Sequence, residues 1–268
     1  GVGMNFFFVM MFINLFLSAA YFHGVLIDFA ASSDVIMPNI GDGKKVLLEY
    51  VSVNPTGPLH VGHGRGAAFG ASLSNILTAA GFSVSREYYV NDAGRQMDIL
   101  ATSVWLRYLE LNGQNVPFPS NGYQGEYVRD MAKLIYKAHG SNYVPQHEML
   151  TSTVTSEIKE EGAAEILLDQ LISEAKNSLG QDYVYIHNFV LTEQLSDCRN
   201  DLMEFGVVFD EWFSELSLFE NDAVPKVIAL LKQNNFLYPK DGAIWFRSTD
   251  FGDEKDRVVQ RENGKFTY

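Results

Sequence analysis

His60 and His63 stand three residues apart with Gly62 between them, directly after the loop Asn54-Pro55-Thr56-Gly57-Pro58. At the start of a helix, that spacing puts both imidazoles on one face. The helix N-terminus adds unpaired backbone N–H groups and a partial positive charge, which makes a site for polyphosphate. Gly62 leaves the backbone bare, so that a flat adenine could lie against it. Gly64, Gly66 and Gly70 each weaken the same helix by up to about 1 kcal/mol relative to alanine, a cost that suggests close approach by something. The chemistry suited to this corner is attack on the α-phosphate of ATP with pyrophosphate leaving, the imidazoles donating to growing charge. Two other readings compete. Helix-start histidines can simply pack a loop, and Gly62, Gly64 and Ala67 fit G-x-G-x-x-A of a dinucleotide site, with Glu87 about twenty residues on. Glu87, however, falls in the middle of its strand, and a dinucleotide turn needs neither histidine. No G-K-[ST] follows, so the loop is not a P-loop.

The elements that must position this corner can be read around it. Val46–Val51 is an apolar run interrupted by Glu49 and reads as a buried parallel strand. A helix is expected from His60 to about Ala80, stopped by Gly81, and a second strand over Val84–Val90. Strand, helix and strand make a βαβ unit whose ligands bind at the carboxyl ends of the strands. Asn91 and Asp92 are placed to cap a helix running to Leu111. Helices are also expected near 124–138, 155–179, 193–205 and 222–234, with Gly140, Gly180 and Gly206 at their ends. Ala243–Arg247 and Arg257–Gln260 read as strands, and Asn263-Gly264 as a hairpin turn before Lys265–Tyr268. The expectation is an α/β chain: an apolar lead-in over 1–43, half of a Rossmann-type core over 44–112, a mostly helical insertion over 113–241, and a return to the core over 242–268.

Composition narrows the class further. The chain of 268 residues is 47% hydrophobic and 20% charged, which is globular and not disordered. One cysteine, Cys198, excludes an internal disulfide and fits a reducing cytoplasm. No Cys/His cluster has zinc-ligand spacing, so no protein metal site is expected. The net charge is −13, and residues 139–268 hold twenty-three acidic against eleven basic residues. No strong basic patch is evident to draw in RNA. Phe6–Phe22 is apolar enough to raise a membrane anchor, but no positive charge flanks it before Lys44, and a buried segment is the expectation.

Four separated blocks carry a resemblance. Glu49–Gly66 reads E-Y-V-S-V-N-P-T-G-P-L-H-V-G-H-G-R-G, and Arg86–Gln96 reads R-E-Y-Y-V-N-D-A-G-R-Q. Glu204–Glu215 reads E-F-G-V-V-F-D-E-W-F-S-E, and Gly242–Tyr268 completes the series. In order and spacing these resemble the catalytic core of class I arginyl-tRNA synthetases. The resemblance implies arginine, ATP with its Mg2+ and tRNA(Arg) as substrates and partners, and a monomer in the cytoplasm. It implies that His60 and His63 are the catalytic residues, and that Pro55, His60, Gly62 and His63 bind ATP. Glu49, Ser52, Asn54, His63 and Tyr268 would bind arginine. Carboxylates suit a guanidinium, whose planar donors pair best with carboxylate oxygens. For Arg65, contact with ATP and a structural ion pair stay equally open. The family's Lys-Met-Ser-Lys-Ser-type loop and the aspartate four residues after the tyrosine have no counterpart here, so this chain alone is expected to be nearly inactive, the alternative being a degenerate synthetase fragment or an ATP- or amino-acid-binding module without catalysis.

Overall fold

The computed structural model describes residues 18–31, 39–145 and 163–267. Two compact units are present, one of Gly1–Val46 with Leu73–Val84 and one of Leu47–Ser72 with Ser85–Tyr268. In the first, helix α1 (Ala19–Ala31) leaves Tyr21, Leu26, Ile27 and Phe29 exposed. The stretch Phe6–Phe22 lies mostly outside the described residues and only its end enters α1. Among the described residues no helix is long and apolar enough to cross a membrane. The turn before the first strand is fastened by Gly41 N–H to Ala80 O and Gly43 N–H to Gly81 O, both 2.8 Å. Gly81 has φ +89, and a Cβ there would overlap the Asn39 side chain, so the expected helix stop requires glycine.

Strand β1 (Lys45–Glu49), helix α2 (Val61–Ala79) and strand β2 (Ser83–Val90) follow as the expected βαβ unit. Strand β3 (Glu211–Ser214) pairs parallel with β2, Glu87 opposite Glu211 and Val90 opposite Ser214, which gives a sheet in the order β1-β2-β3. This is the α/β class anticipated. Strand β1 is not buried, however: its exposure alternates and Leu47 is 61% exposed. It lies at the edge of the sheet, so an apolar run there covers one face only. Strand β3 comes from within the segment expected to be an insertion.

Between β2 and β3 the chain builds a helical body from α3 (Arg95–Leu111), α4 (Glu126–His139), α5 (Ala163–Leu179) and α6 (Gln181–Glu204). Helix α3 is buried on nearly every side, with Leu100, Val104, Trp105 and Leu109 wholly enclosed against Val128, Ile135, Ala175 and Ile186. Trp105 keeps its indole N–H satisfied at Tyr143 O, 3.0 Å away. Helix α6 begins twelve residues before the expected start. Its first half, Tyr183 to Val190, is rich in aromatic and β-branched residues and reads poorly as helix. Burial of Tyr183, Ile186 and Val190, spaced at three and four, overrides that propensity. Residues 155–162 of the helix expected over 155–179 lie outside the described residues.

After β3 come the short α7 (Leu216–Glu220) and α8 (Ala223–Gln233). A second, antiparallel sheet of β4 (Leu237–Lys240), β5 (Ala243–Phe246) and β6 (Arg257–Gln260) follows. Strand β4 contains Pro239 and ends its sheet, where a missing N–H is tolerated; that proline hid it in the sequence. The Asn263-Gly264 turn closes as expected, Gly264 at φ +78 and Gln260 bridged to Phe266.

The glycines of α2 divide cleanly. A Cβ at Gly70 would lie 2.2 Å from the Tyr50 ring, whereas at Gly66 it would meet nothing within 4 Å. Gly70→Ala is therefore expected to lose about 1–3 kcal/mol of stability by overpacking. Gly66→Ala should be neutral or gain up to about 1 kcal/mol. Urea unfolding of the two variants measures this, and equal midpoints would contradict the packing.

Candidate active site

From Glu49 the chain leaves the sheet through a turn that ordinary residues avoid. Val51 has φ +66 and Ser52 φ +42. A β-branched residue in the left-handed region is an outlier costing about 1–3 kcal/mol, and such strain persists only where neighbours over-determine it. Here the Ser52 hydroxyl accepts the Tyr89 N–H at 3.0 Å. The Tyr88 hydroxyl donates to Val53 O at 3.0 Å. Farther along, the Tyr127 hydroxyl from α4 donates to Thr56 O at 2.7 Å, and Pro55 is buried. Ser52 thus spends its acceptor on the scaffold while its own O–H remains to donate. Asn54, between these anchors, is exposed.

The loop delivers His60 to the position just before α2, where its carbonyl accepts from the His63 and Gly64 amides. The two imidazoles stack, ring centroids 3.5 Å apart and 22° from parallel. Gly62 N–H donates to His60 Nδ1 at 3.1 Å, and His60 N–H to His63 Nδ1 at 3.3 Å. Each Nδ1 acts as acceptor, which leaves the proton of each neutral ring on Nε2 and aims that donor away from the backbone. Burial, with the neighbouring His60 in second place, holds the His63 pKa below the ordinary histidine value. A Cβ at Gly62 would lie 2.9 Å from His60 Cε1, so glycine is needed for the His60 ring itself. Gly64 and Gly66 face open space. Arg65 is exposed and has no ion-pair partner among the described residues.

Glu49, at the carboxyl end of β1, lines a cavity of about 370 Å³ together with Tyr89, Glu215, Phe219, Phe266 and Thr267. Tyr268, the last expected arginine contact, lies outside the described residues. Nothing in the sequence alone singles out Glu215 or Tyr89. Glu215 follows β3, which was not foreseen as a strand, and Tyr89 was hidden in an aromatic pair whose alternate member, Tyr88, points to the opposite face. Burial raises the Glu215 pKa first and the nearby Asp92 charge adds to it, while a hydrogen bond from Tyr89 acts the other way. A pocket that carries carboxylates and raises a carboxyl pKa suits a cation.

Asp92 does not cap α3. The residue before that helix is Gly94, and it makes no side-chain cap. Asp92 instead reaches the end of β3, accepting from Ser214 Oγ–H at 2.6 Å and from Leu216 N–H at 2.8 Å. The strands β2 and β3 run parallel and end in register at Val90 and Ser214, so a residue just past β2 stands beside the corner after β3.

A second cavity, of about 870 Å³, shares Phe219 and Phe266 with the first. Four cations line it, Arg95, Lys176, Arg261 and Lys265, against Asp98 and Asp169. Arg95 pairs with Asp169 at 2.7 Å and Lys176 with Asp98 at 2.8 Å. Arg261 and Lys265 have no ion-pair partner among the described residues. Charge along the chain averages this local excess away, because Lys176, Arg261 and Lys265 lie within the acidic stretch 139–268 and Arg95 joins them from outside it.

Comparison with known proteins fits this geometry. The family described as tRNA synthetases class I (R), catalytic domain, matches residues 27–268. The chain is 67% identical over 230 residues to the arginine–tRNA ligase of Nitrosospira multiformis, covering 86% of this chain and 39% of that protein. It is 58% identical over 261 residues to the arginine–tRNA ligase of Nitrosomonas eutropha, covering 96% of this chain and 44% of that one. It thus spans less than half the length of these relatives. Among solved structures, an arginyl-tRNA synthetase from Campylobacter jejuni superposes with a TM-score of 0.63 at 33% identity, over 86% of this chain and 44% of that one. The fold also matches the Thermus thermophilus arginyl-tRNA synthetase with a TM-score of 0.55, over 91% of this chain and 37% of that one. The stacked histidine corner, the carboxylate-lined cavity and the parallel sheet beneath them therefore sit in a chain that belongs to the arginine-type class I tRNA synthetase catalytic domains.

Proposed function

We propose that this chain is part of an arginine–tRNA ligase and carries its arginine pocket and its first ATP-binding corner. One observation carries the reading: Glu49 and Glu215 line a single cavity at the carboxyl ends of the strands, and the loop after Glu49 leads into the histidine corner. Two carboxylates can receive the planar donors of a guanidinium. Ser52 and Asn54, on the strained loop, are the groups to hold the amino-acid end. Tyr268 completes the arginine contacts in this reading. Pro55 and Gly62 border the nucleotide, and the Nε2–H donors of His60 and His63 face its phosphates.

In the reaction the arginine carboxylate oxygen attacks the α-phosphorus of ATP, the bond to the bridging oxygen breaks, and pyrophosphate leaves. The second step transfers the arginyl carbonyl to a hydroxyl of the terminal adenosine of tRNA(Arg), with AMP leaving. Magnesium enters as the counter-ion of the ATP phosphates. The two histidines contribute hydrogen bonds that strengthen as charge grows on the α-phosphate. The cation-lined cavity gives the tRNA end a route to the arginine pocket, because Phe219 and Phe266 wall both. Bases can stack on such aromatic faces while cations meet the phosphates.

Three measurements test the proposal. Calorimetric titration of the chain with arginine is expected to show binding that Glu49→Gln and Glu215→Gln each weaken at least about tenfold, roughly 1.4 kcal/mol. Undiminished binding in both variants would sink the pocket. In the full-length natural protein, His63→Ala should lower arginine-dependent ATP–pyrophosphate exchange, with tRNA present, about 10²–10³-fold. Arginine affinity should move only a few-fold, and unchanged exchange would remove His63 from the chemistry. Arg261→Ala with Lys265→Ala should weaken tRNA binding and flatten its salt dependence by about 0.7 per lost contact. An unaltered salt slope would place the tRNA elsewhere.

A further inference from the structure

Three consecutive residues at the corner between β3 and α7 are each fastened to the stretch around the end of β2. Ser214 Oγ–H and Leu216 N–H donate to the two oxygens of Asp92, and between them Glu215 N–H donates to Val90 O at 3.0 Å. Asp92 is only 6% exposed, and among the described residues it has no cationic partner. A buried carboxylate satisfied by a hydroxyl and an amide alone is costly, and a neutral oxygen acceptor could fasten so short a helix. What a neutral group could not supply is charge. Asp92 stands behind Glu215, whose side chain lines the cavity with Glu49 and Tyr89. Two carboxylates thus line the cavity, and a third acts on one of them from behind.

We propose that Asp92 is a positioning residue for the arginine site. It fixes the backbone on both sides of Glu215, and its buried negative charge tunes the cavity for a cationic side chain over a neutral one of the same shape. This rests on the reading of that cavity as the arginine pocket. A guanidinium entering between Glu49 and Glu215 offsets the repulsion that Asp92 exerts on Glu215, whereas the urea group of citrulline offsets none of it. The titratable groups facing Glu215 are Tyr89 from β2, Asp92 from the segment after it and Glu49 from β1. The other walls, Leu218, Phe219, Val224, Phe266 and Thr267, bring none.

Arginine binding needs Glu215 ionised, and its pKa stands above the ordinary glutamate value, raised by burial and then by Asp92. Asp92→Asn removes the repulsion, so Glu215 stays ionised to lower pH and the acid limb of arginine binding moves down. At neutral pH the same change removes attraction for the cation.

The test is a set of arginine and citrulline titrations of the wild-type chain and Asp92→Asn across the acid range. Arginine Kd at neutral pH is expected to rise about tenfold, the citrulline-to-arginine Kd ratio to fall by a similar factor, and the acid midpoint to drop. Parallel weakening of both ligands with an unmoved midpoint would reduce Asp92 to a structural tie and overturn the inference. Unchanged arginine binding in the variant would overturn it as well, while wild-type binding leaves the pocket standing. A wild-type chain that binds neither ligand ends both readings together. Should Asp92→Asn fail to fold, carbon-13 titration of both carboxyls in the wild type decides: a Glu215 curve that shifts as Asp92 ionises is expected, and independent titration of the two overturns the inference.

Discussion

The site depends on holding Val51 and Ser52 in a backbone conformation that neither residue favours. That turn sets the direction in which the chain leaves β1, and hence where Asn54, Pro55 and the start of α2 come to lie. It is held by the Tyr89 amide on the Ser52 hydroxyl and the Tyr88 hydroxyl on Val53 O. Tyr88 is fully buried, stacked on Trp212 at 4.2 Å and edge-on to Phe209 at 5.4 Å. Both of those rings arrive with β3. The parallel pairing of β2 with β3 is in turn locked where it begins, by the two-pronged ion pair of Arg86 with Asp210. A parallel neighbour cannot be reached by a tight turn and needs a long crossover. The helical body between β2 and β3 is that crossover, and its core around α3 keeps β3 in register.

Charge is arranged locally, and the net −13 conceals it. Glu87 sits opposite Glu211 in the sheet, and its pKa is raised by burial first, then by Glu211 and Glu49. One sheet face therefore gathers carboxylates without enough cations to neutralise them. At physiological salt, charges farther apart than about 8 Å are largely screened. What a ligand feels inside a cavity is the sign of its nearest walls, not the total charge of the chain. The smaller cavity is lined by Glu49 and Glu215 and its neighbour by four cations and two aspartates, with Phe219 and Phe266 common to both. Two ligands of opposite sign can thus be drawn to adjoining spaces.

Much of this was legible in the residues. The strand–helix–strand order, the start of α2 near His60 and the stop at Gly81 follow from short-range rules of hydrophobic period and glycine conformation. What stayed hidden lies in pairings between distant segments. Glu215 is an unremarkable residue until β3 is set beside β2, and Asp92 reads as a local cap until the same pairing carries it across to Ser214 and Leu216. Strand β1 read as buried because composition does not reveal that it would lie at a sheet edge. Helix α6 was cut short because its aromatic first half obeys packing against α3 and not propensity. The cationic cavity was averaged away by counting charge along the chain, although its members come from α3, α5 and the turn after β6.

The glycine at 62 shows how sequence economy and chemistry meet. Its bare backbone lets the His60 ring fold back until it stacks on His63, and the two backbone amides then occupy both Nδ1 atoms. The His63 pKa is lowered, by burial first and by the neighbouring His60 next. Such a pair holds a ground-state triphosphate less tightly than two fixed cations would, yet keeps two directed Nε2–H donors. Interactions that strengthen only as charge develops accelerate a step, whereas uniform binding does not. For the proposed attack at an α-phosphate, two aimed Nε2–H donors suit charge that grows in the transition state, and the strained loop that precedes them supplies the rigidity.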